Sequence, residues 1–206
     1  MTDRFDERAT SWDEDPRRVE RARGVAQRIR EAVPLDPSVR LVEFGAGTGL
    51  LAAELAPHVG SVTLIDASAG MREQAQHKID AGILGPQAEV SALDLDDADP
   101  EVAMCEAIVA LMSLHHVKDV TRTLAGFCRM LSSDGTLAIV DLEIDEQRTF
   151  HGEDFDGYHG FRRSDLTRWV EAAGFMEIRF AHAYTMEKQG RSYDLFLMTA
   201  RSGGDG

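Results

Sequence analysis

Leu41-Val42-Glu43-Phe44-Gly45-Ala46-Gly47-Thr48-Gly49 is the stretch that decides the fold. Apolar residues lead into an acid, glycine then recurs at every second position, and a helix-forming run from Leu50 to Leu55 follows at once. This order is typical of a buried strand that turns sharply into a helix. Glycine tolerates a positive φ and lets a ligand approach bare backbone, and the N–H groups at the start of the helix favour a negative charge. The stretch therefore predicts a pocket for a ligand that carries an anionic group.

The composition is that of an ordinary globular domain. The chain has 206 residues, of which 43% are hydrophobic and 28% charged, enough for one domain with a full core. No apolar run reaches the roughly 20 residues that span a bilayer, and the N-terminus lacks the pattern of a secretion signal. We therefore expect a cytoplasmic protein without membrane contact.

The charge of the chain bears on its partners. The formal net charge is −14, which argues against a partner bound through a phosphate backbone, because such binding depends on lysine and arginine. Arg17, Arg18, Arg21 and Arg23 are basic residues within one predicted helix. We interpret them as its solvated face rather than as a nucleic-acid contact.

Strand and helix patterns alternate along most of the chain. A helix is predicted within 11–33, with Asp15 as its N-cap and Pro16 in its first turn. A later helix is predicted to have Ser164 as its cap and to end at Gly174. Strands are predicted near 41–44, 62–65, 88–92, 107–110, 136–140, 176–182 and 194–199. The alternation is typical of a parallel sheet covered on both faces, and the short link before the last strand makes the final pair antiparallel.

Acidic residues follow several strands at the carboxyl edge of this sheet, where ligands of such folds bind. Asp66 ends the second strand, and its carboxylate can accept hydrogen bonds from both hydroxyls of a ribose. Asp94 ends the third strand and can accept from the exocyclic amine of adenine, with Leu95 and Met71 beside the ring. Glu43 can attract an ammonium group. A ligand with adenine, ribose, an amine and a carboxylate would use all of these residues, and S-adenosylmethionine is such a ligand.

This constellation resembles that of the class I S-adenosylmethionine-dependent methyltransferases of the small-molecule group. The resemblance covers roughly residues 5–200, and its motifs, in family order, lie at 43–49, 65–68, 93–95, 112–117, 131–137 and 172–175. Glu106 stands where the family usually has an aspartate, at a position that is structural. The resemblance implies an α/β fold in residues 36–201: a Rossmann-like, doubly wound, seven-stranded and mostly parallel sheet with an antiparallel last strand and helices on both faces. It also implies that residues 1–35 form a helical segment that covers the cofactor site, and we expect a disordered tail at 202–206.

The resemblance also implies a set of cofactor contacts. Gly45, Ala46 and Gly47 would approach the methionine moiety, and Ala110 and Leu111 would flank the sulfonium. The implied cofactor-binding residues are Glu43, Gly45, Ala46, Gly47, Asp66, Ala67, Met71, Asp94, Leu95, Ala110 and Leu111. The cofactor is S-adenosyl-L-methionine, and the product is S-adenosyl-L-homocysteine.

Two histidines are the catalytic candidates. His115, just beyond the fourth strand, is expected to act as a base or to orient the acceptor; the alternative is that it caps or packs against the next helix. His159 lies in the polar segment 143–163, which we interpret as a lid or acceptor wall rather than an ordinary loop. His116 is expected to pack. No metal is predicted, because the histidines and carboxylates of that segment lack ligand spacing.

The predicted function is methyl transfer from S-adenosylmethionine to a small-molecule acceptor by direct displacement. A nicotinamide dehydrogenase is disfavoured, because Leu50 occupies the sixth position of G-x-G-x-x-G. Two alternatives stay open: a methyltransferase acting on RNA or protein, and a module that binds the cofactor without turnover. The sequence makes no prediction of oligomeric state.

Overall fold

The seven predicted strands form one mixed sheet in the structure, a computed structural model that describes residues 5–92, 104–152 and 154–203. The strands are β1 (Arg40–Phe44), β2 (Ser61–Ile65), β3 (Ala88–Ser91), β4 (Cys105–Leu111), β5 (Leu131–Leu142), β6 (Phe175–Lys188) and β7 (Arg191–Ser202). The α-helices are α1 (Pro16–Ala32), α2 (Leu50–Leu55), α3 (Ala69–Asp80), α4 (Val120–Met130) and α5 (Arg163–Ala172). Short 3-10 helices lie at Ala9–Glu14, Ala56–His58 and Leu114–His116.

The strand order is β3-β2-β1-β4-β5-β7-β6. Strands β1 to β5 pair in parallel, and β7 is antiparallel to both of its neighbours. The predicted fold class, with its antiparallel last strand, is confirmed. Strands β2 and β3 lie on one side of β1, and β4 and β5 lie on its other side. The strand order therefore reverses between β1 and β4, and the carboxyl ends of these two strands form the crevice where ligands of such sheets bind.

Buried side chains on both faces of the sheet hold the helices in place. On one face α1 and α2 contribute Val25, Ile29, Leu51 and Leu55 to the core, and on the other α4 and α5 contribute Leu124, Phe127, Leu166 and Val170. Strand β4 lies between these layers and is buried along most of its length, which is why its sequence is continuously apolar rather than alternating.

Two local predictions at element ends are confirmed. Asp15 caps α1, accepting a hydrogen bond from the Arg17 N–H at 3.1 Å, with Pro16 in the first turn. Glu106 is structural: its carboxylate accepts from the backbone N–H of Arg40 at 2.8 Å and so joins the starts of β1 and β4.

The predicted Ser164 cap is wrong. Helix α5 begins at Arg163, and its N-cap Arg162 makes no side-chain cap. The preceding Phe161 is tied to β5 by hydrogen bonds from its N–H to Leu142 O, at 2.9 Å, and from the Ile144 N–H to its carbonyl, at 3.1 Å. This anchor fixes where the chain leaves the sheet, and the helix starts immediately afterwards.

The last two strands are longer than predicted. They continue to Lys188 and Arg191 and meet in a two-residue turn, in which Gln189 has φ +53° and Gly190 has φ +74°. Two consecutive positive φ values are the geometry of the tight hairpin turn that matches strand twist. The hairpin therefore rises above the carboxyl edge of the sheet. Among the described helices, none combines the length and apolar character needed to cross a membrane.

Candidate functional site

The glycine turn after β1 packs directly against the segment that follows β4. Gly45, Gly47 and Gly49 all have positive φ, from 56° to 76°. A Cβ atom at Gly45 would lie 2.3 Å from the Cβ of Ser113, so no side chain fits there. The Ser113 hydroxyl donates to Phe44 O at 2.9 Å and holds the two chain segments together. The predicted turn is thus required by the protein's own packing at Gly45.

Asp66 ties this turn to the end of β2. Its carboxylate accepts from the Gly47 N–H at 2.7 Å and from the Ser68 N–H at 2.8 Å. Burial raises the pKa of Asp66 above its usual value, although these two hydrogen bonds oppose the rise. A carboxylate has about four acceptor positions, so positions remain for the hydroxyls of a ligand.

Glu43 is a buried acid beneath the same turn, only 2% exposed. Burial raises its pKa to about 8, so the side chain is mostly protonated at neutral pH. Its Oε2 atom is buried and makes no hydrogen bond to any described residue. A cationic ligand group at this point would restore the charged form and supply the missing partner.

A cavity of about 850 Å³ opens over the carboxyl ends of β1, β2 and β4. The predicted cofactor residues that line it are Glu43, Gly45, Ala46, Gly47, Asp66, Ala67, Met71 and Leu111. Ala110 is buried in the sheet next to Leu111, at 1% exposure. Asp94 and Leu95 lie outside the described residues. The volume is in the range of small-molecule sites.

The N-terminal segment lies across this cavity and is held at two points. The Asp6 carboxylate accepts from the Ser68 hydroxyl at 2.5 Å and from the Gly70 N–H at 2.8 Å. Asp13 accepts from the Thr48 hydroxyl at 2.6 Å and pairs with Lys78 Nζ at 2.6 Å. Phe5 and Trp12 line the cavity beside these anchors.

His115 forms a buried pair with Asp141, the residue near the end of β5. The distance from His115 Nδ1 to Asp141 Oδ1 is 2.6 Å, and both side chains are at most 1% exposed. The carboxylate also accepts from the backbone N–H groups of His115, at 3.2 Å, and of Leu142, at 2.7 Å. An acceptor of this kind fixes the proton of a neutral imidazole on Nδ1 and leaves the Nε2 lone pair free. Nε2 is buried and makes no hydrogen bond within the described chain.

Aromatic rings surround the buried side chain of His115. The His116 and His151 ring centroids lie 4.1 Å and 4.8 Å from that of His115, and Phe155 stacks on His151 at 3.9 Å. His116 also packs edge-on against Phe5, as expected of a packing residue. Burial lowers the pKa of His151 to about 3, with nearby positive groups adding to the effect. The His151 ring is therefore uncharged at neutral pH and packs as an aromatic side chain in the wall of the cavity.

His159, the second catalytic candidate, lies behind this wall. Its ring centroid is 5.5 Å from that of Phe155 and 6.5 Å from that of His151. His159 is not among the described residues that line the cavity. Of the His, Cys, Asp and Glu residues in the described ranges, no three or more are arranged to hold a metal ion.

The interpretation of the α1 arginines as a solvated face is wrong for two of the four. Arg17 and Arg23 are exposed, whereas Arg18 and Arg21 are partly buried and line the cavity. The Arg18 guanidinium lies 3.8 Å from the centre of the Trp12 ring and donates to Trp12 O at 2.8 Å. Arg18 and Arg21 are three positions apart, which places both on one face of the helix, the face turned to the sheet.

The sequence patterns did not single out Asp141, Asp6 or Asp13, and Arg21 was assigned to a solvated face. For Asp141 a signal existed, because it is an acid near the end of a buried strand, like Asp66. Asp6 and Asp13 act through contacts with residues 62 and 35 positions away along the chain. Local patterns carry no signal for such contacts.

Comparison with known proteins gives a consistent result. A family model described as a methyltransferase domain matches residues 17–178. An uncharacterized methyltransferase from Schizosaccharomyces pombe is 31% identical over 118 residues, which are 54% of this chain and 41% of that relative. The chain therefore matches about two fifths of the length of this relative.

Solved structures share the fold. A chain in the complex between the Haloferax volcanii Trm112 methyltransferase activator and a methyltransferase superposes with a TM-score of 0.75, at 16% identity, covering 97% of each chain. The N-methyltransferase NodS from Bradyrhizobium japonicum, solved with S-adenosyl-L-homocysteine, superposes with a TM-score of 0.69 at 16% identity, covering 92% of this chain and 89% of NodS.

Proposed function

This chain belongs to the methyltransferase domain family, and on that premise we propose that it transfers the methyl group of S-adenosyl-L-methionine to a small-molecule acceptor by direct displacement. The observation that carries the proposal is the buried Glu43 beneath the glycine turn, with one carboxylate oxygen lacking a partner among the described residues. An acid in this state fits a ligand with a positive charge, and the donor carries both an ammonium and a sulfonium. The fold neighbour NodS was solved with S-adenosyl-L-homocysteine, the demethylated form of this donor.

The residues around the turn each bind a different part of the donor. Glu43 attracts the ammonium group, and the backbone of Gly45 to Gly47 borders the methionine moiety. Asp66 accepts hydrogen bonds from the ribose hydroxyls, each charge-assisted bond being worth about 1.5–3 kcal/mol. Leu111, at the end of β4, would lie beside the sulfonium, and Met71 would lie beside the adenine. Asp94 and Leu95 complete the adenine site in this proposal.

His115 is the group that acts on the acceptor. The donor would supply an electrophilic methyl carbon on sulfur; as an acceptor atom bonds to this carbon, the carbon–sulfur bond would break and S-adenosyl-L-homocysteine would leave. Asp141 keeps the Nε2 lone pair of His115 directed away from the sheet, where it can take a proton from an acceptor hydroxyl or amine as the new bond forms. The aromatic wall of His116, His151 and Phe155 limits water at this point. Alignment of this kind can supply about 7–11 kcal/mol of the barrier reduction. His159 supports the wall from behind.

A small molecule is favoured as acceptor over RNA or protein. The net charge of −14 opposes a phosphate backbone, and the aromatic wall and the N-terminal segment enclose the acceptor end of the cavity. The alternative of a module that binds the cofactor without turnover is disfavoured by the His115–Asp141 pair, because a binding module needs no oriented base.

The test combines donor binding with label transfer. Calorimetry should detect binding of S-adenosyl-L-methionine and S-adenosyl-L-homocysteine. Incubation with methyl-labelled donor and separate RNA, protein and metabolite fractions should place the label in the metabolites. Label in RNA or protein would support the macromolecular alternative. Donor binding without label in any fraction would support the binding module, and the absence of donor binding would contradict the proposal.

A further inference from the structure

Arg18 and Arg21 lie side by side on α1 and face the same cavity, but their surroundings differ. Arg18 is satisfied: its Nε lies 3.8 Å from Asp15, it donates to Trp12 O at 2.8 Å, and it stacks on the Trp12 ring. Its charge is therefore partly compensated by Asp15, and one of its hydrogen-bond donors is used, within the N-terminal segment.

Arg21 has no comparable partner. Its Nε is buried and makes no hydrogen bond, and it forms no ion pair with any carboxylate in the described part of the chain. Its Nη1 lies 3.4 Å from the Met186 sulfur, which is only a weak acceptor. Burial and the neighbouring Arg18 lower the pKa of Arg21. A guanidinium stays charged in a protein, so Arg21 is a partly buried cation that faces the cavity. It pairs with no carboxylate of the described residues, and only the more distant charges of Tyr184 and Asp15 favour its charged form.

The position of Arg21 is at the acceptor side of the cavity. The donor residues stand on or after β1, β2 and β4, whereas Arg21 contacts β6, three strands beyond β4 in the sheet order. At the usual strand spacing, three strands correspond to about 14 Å. Met186 and Lys188 lie two residues apart on β6 and so point to the same face. Lys188 Nζ lies 4.3 Å from the centre of the Phe150 ring, close to His151 of the aromatic wall.

We infer that the methyl acceptor carries an anionic group, a carboxylate or a phosphate monoester, and that Arg21 binds this group at the β6 side of the cavity. The inference rests on the methyl transfer proposed above and names the chemical class of its acceptor. An anion here would accept hydrogen bonds from the guanidinium, whose N–H donors match the geometry of a carboxylate and of a phosphate. The acceptor then spans from Arg21 and Lys188 to the Nε2 atom of His115.

The first experiment uses the wild-type protein, methyl-labelled donor and a metabolite extract. After the reaction, unreacted donor is removed on a cation exchanger and the products are separated on an anion exchanger at about pH 11, where amines are uncharged and only anionic groups cause retention. Label retained on the anion exchanger is the expected result, and treatment with phosphatase separates a phosphate monoester from a carboxylate. Label only in the unretained fraction would overturn the inference while leaving the methyl transfer intact. Absence of label from both fractions would contradict methyl transfer to a small molecule.

The second experiment compares Arg21→Gln and Arg21→Lys with the control Arg23→Gln. Arg23 is exposed on the same helix, with an ion pair to Glu54 at 3.6 Å, and lies outside the cavity. We expect Arg21→Gln to raise the KM for the retained acceptor by about 10- to 100-fold, Arg21→Lys to recover part of this loss, and Arg23→Gln to resemble the wild type.

Calorimetry with S-adenosyl-L-homocysteine on the same variants decides which ligand supplies the anion. Unchanged affinity in Arg21→Gln supports binding of the acceptor, and it also shows that the variant is folded. A loss of donor affinity with an unchanged acceptor KM would mean that Arg21 binds the methionine carboxylate, and would overturn the inference. If Arg21→Gln does not fold, Arg21→Lys carries the same comparison with its charge retained.

Discussion

Asp141 determines what His115 can do. An imidazole has two nitrogens, and the 2.6 Å contact between Nδ1 and Asp141 decides which of them is the acceptor. The same carboxylate holds the His115 backbone N–H, so ring tautomer and ring position depend on one residue.

Replacing Asp141 by Asn should therefore disable the base without emptying the donor site. The amide can donate to Nδ1 and so place the imidazole proton on Nε2. We expect the rate of label transfer into the metabolite extract to fall by about 10²- to 10⁴-fold, with the donor Kd unchanged. Full activity in Asp141→Asn, at normal donor affinity, would show that the pair is only structural.

Glu43 couples donor binding to a proton. Its pKa in the free protein is about 8, so at pH 7 the carboxyl is mostly protonated, whereas a bound ammonium group favours the carboxylate. Donor binding at pH 7 should release up to about one proton per site, and the release should decline as the pH rises above 8. Calorimetry in buffers of different protonation enthalpy measures this number. Glu43→Gln should remove the release, and an equal release in that variant would assign it to another group.

The roles of single residues could be predicted from the sequence only where they do not depend on contacts distant along the chain. Glu43 and Asp66 were identified because each follows a strand pattern at a readable distance from the glycines. Arg21 was misread because its charge suggested solvent, and only the packing of α1 against β6 shows that it faces a cavity. The sequence of α1 contains both kinds of arginine and does not distinguish them.

The segment 143–162 between β5 and α5 depends on a close backbone contact. Gly160 has φ +84°, and a Cβ atom there would lie 2.2 Å from Glu143 O. Gly152, in the same segment, has φ +92° but open space around it. The two glycines therefore separate the effect of backbone strain from that of a steric clash.

We expect Gly152→Ala to lower the free energy of unfolding by about 1–2 kcal/mol, the cost of a left-handed residue. Gly160→Ala should lower it by about 3 kcal/mol or more, because the clash adds an overpacking penalty. Denaturant unfolding of both variants measures the difference. Equal losses would show that the contact between Gly160 and Glu143 relaxes easily.

Elements whose ends depend on local chemistry were predicted well, and those fixed by tertiary contacts were not. Asp15 and Pro16 start α1 where their side chains predict, because a cap acts within its own turn. Helix α5 starts at Arg163 because Phe161 is bonded to β5, which no local pattern reveals. The long β6–β7 hairpin was underestimated because Lys188 and Arg191 sit beside a turn whose φ values the sequence only partly indicates.

The whole molecule should be stabilised by its donor. A ligand that binds only the folded chain raises the free energy of unfolding by about 2.7 kcal/mol at a concentration of 100 times its Kd. S-adenosyl-L-homocysteine should therefore raise the thermal midpoint of the wild-type protein, and Asp66→Ala should reduce the shift at the same concentration. A reduced nicotinamide dinucleotide serves as the matched control, and a shift with this compound alone would favour a dehydrogenase.

The architecture as a whole was predictable because it follows from alternation and burial. Strand β4 reads as continuously apolar because helices cover both of its faces, and the closing pair is antiparallel because its link is short. The enclosure of the cavity was harder to predict from the sequence, because Asp6 and Asp13 of the N-terminal segment bind Ser68 and Thr48, which are distant along the chain. The sequence alone does not show which polar residues at the edge of the sheet these two carboxylates bind.

The pairing of Glu143 with Phe161 has a consequence for how new specificities can arise. The segment that walls the acceptor leaves the sheet and returns to it at neighbouring points, so its interior can vary in length and composition while both ends stay fixed. The glycine turn, Glu43 and Asp66 lie on other strands. A graft of a foreign loop between these two residues should thus exchange one acceptor for another and leave the affinity for the methyl source intact.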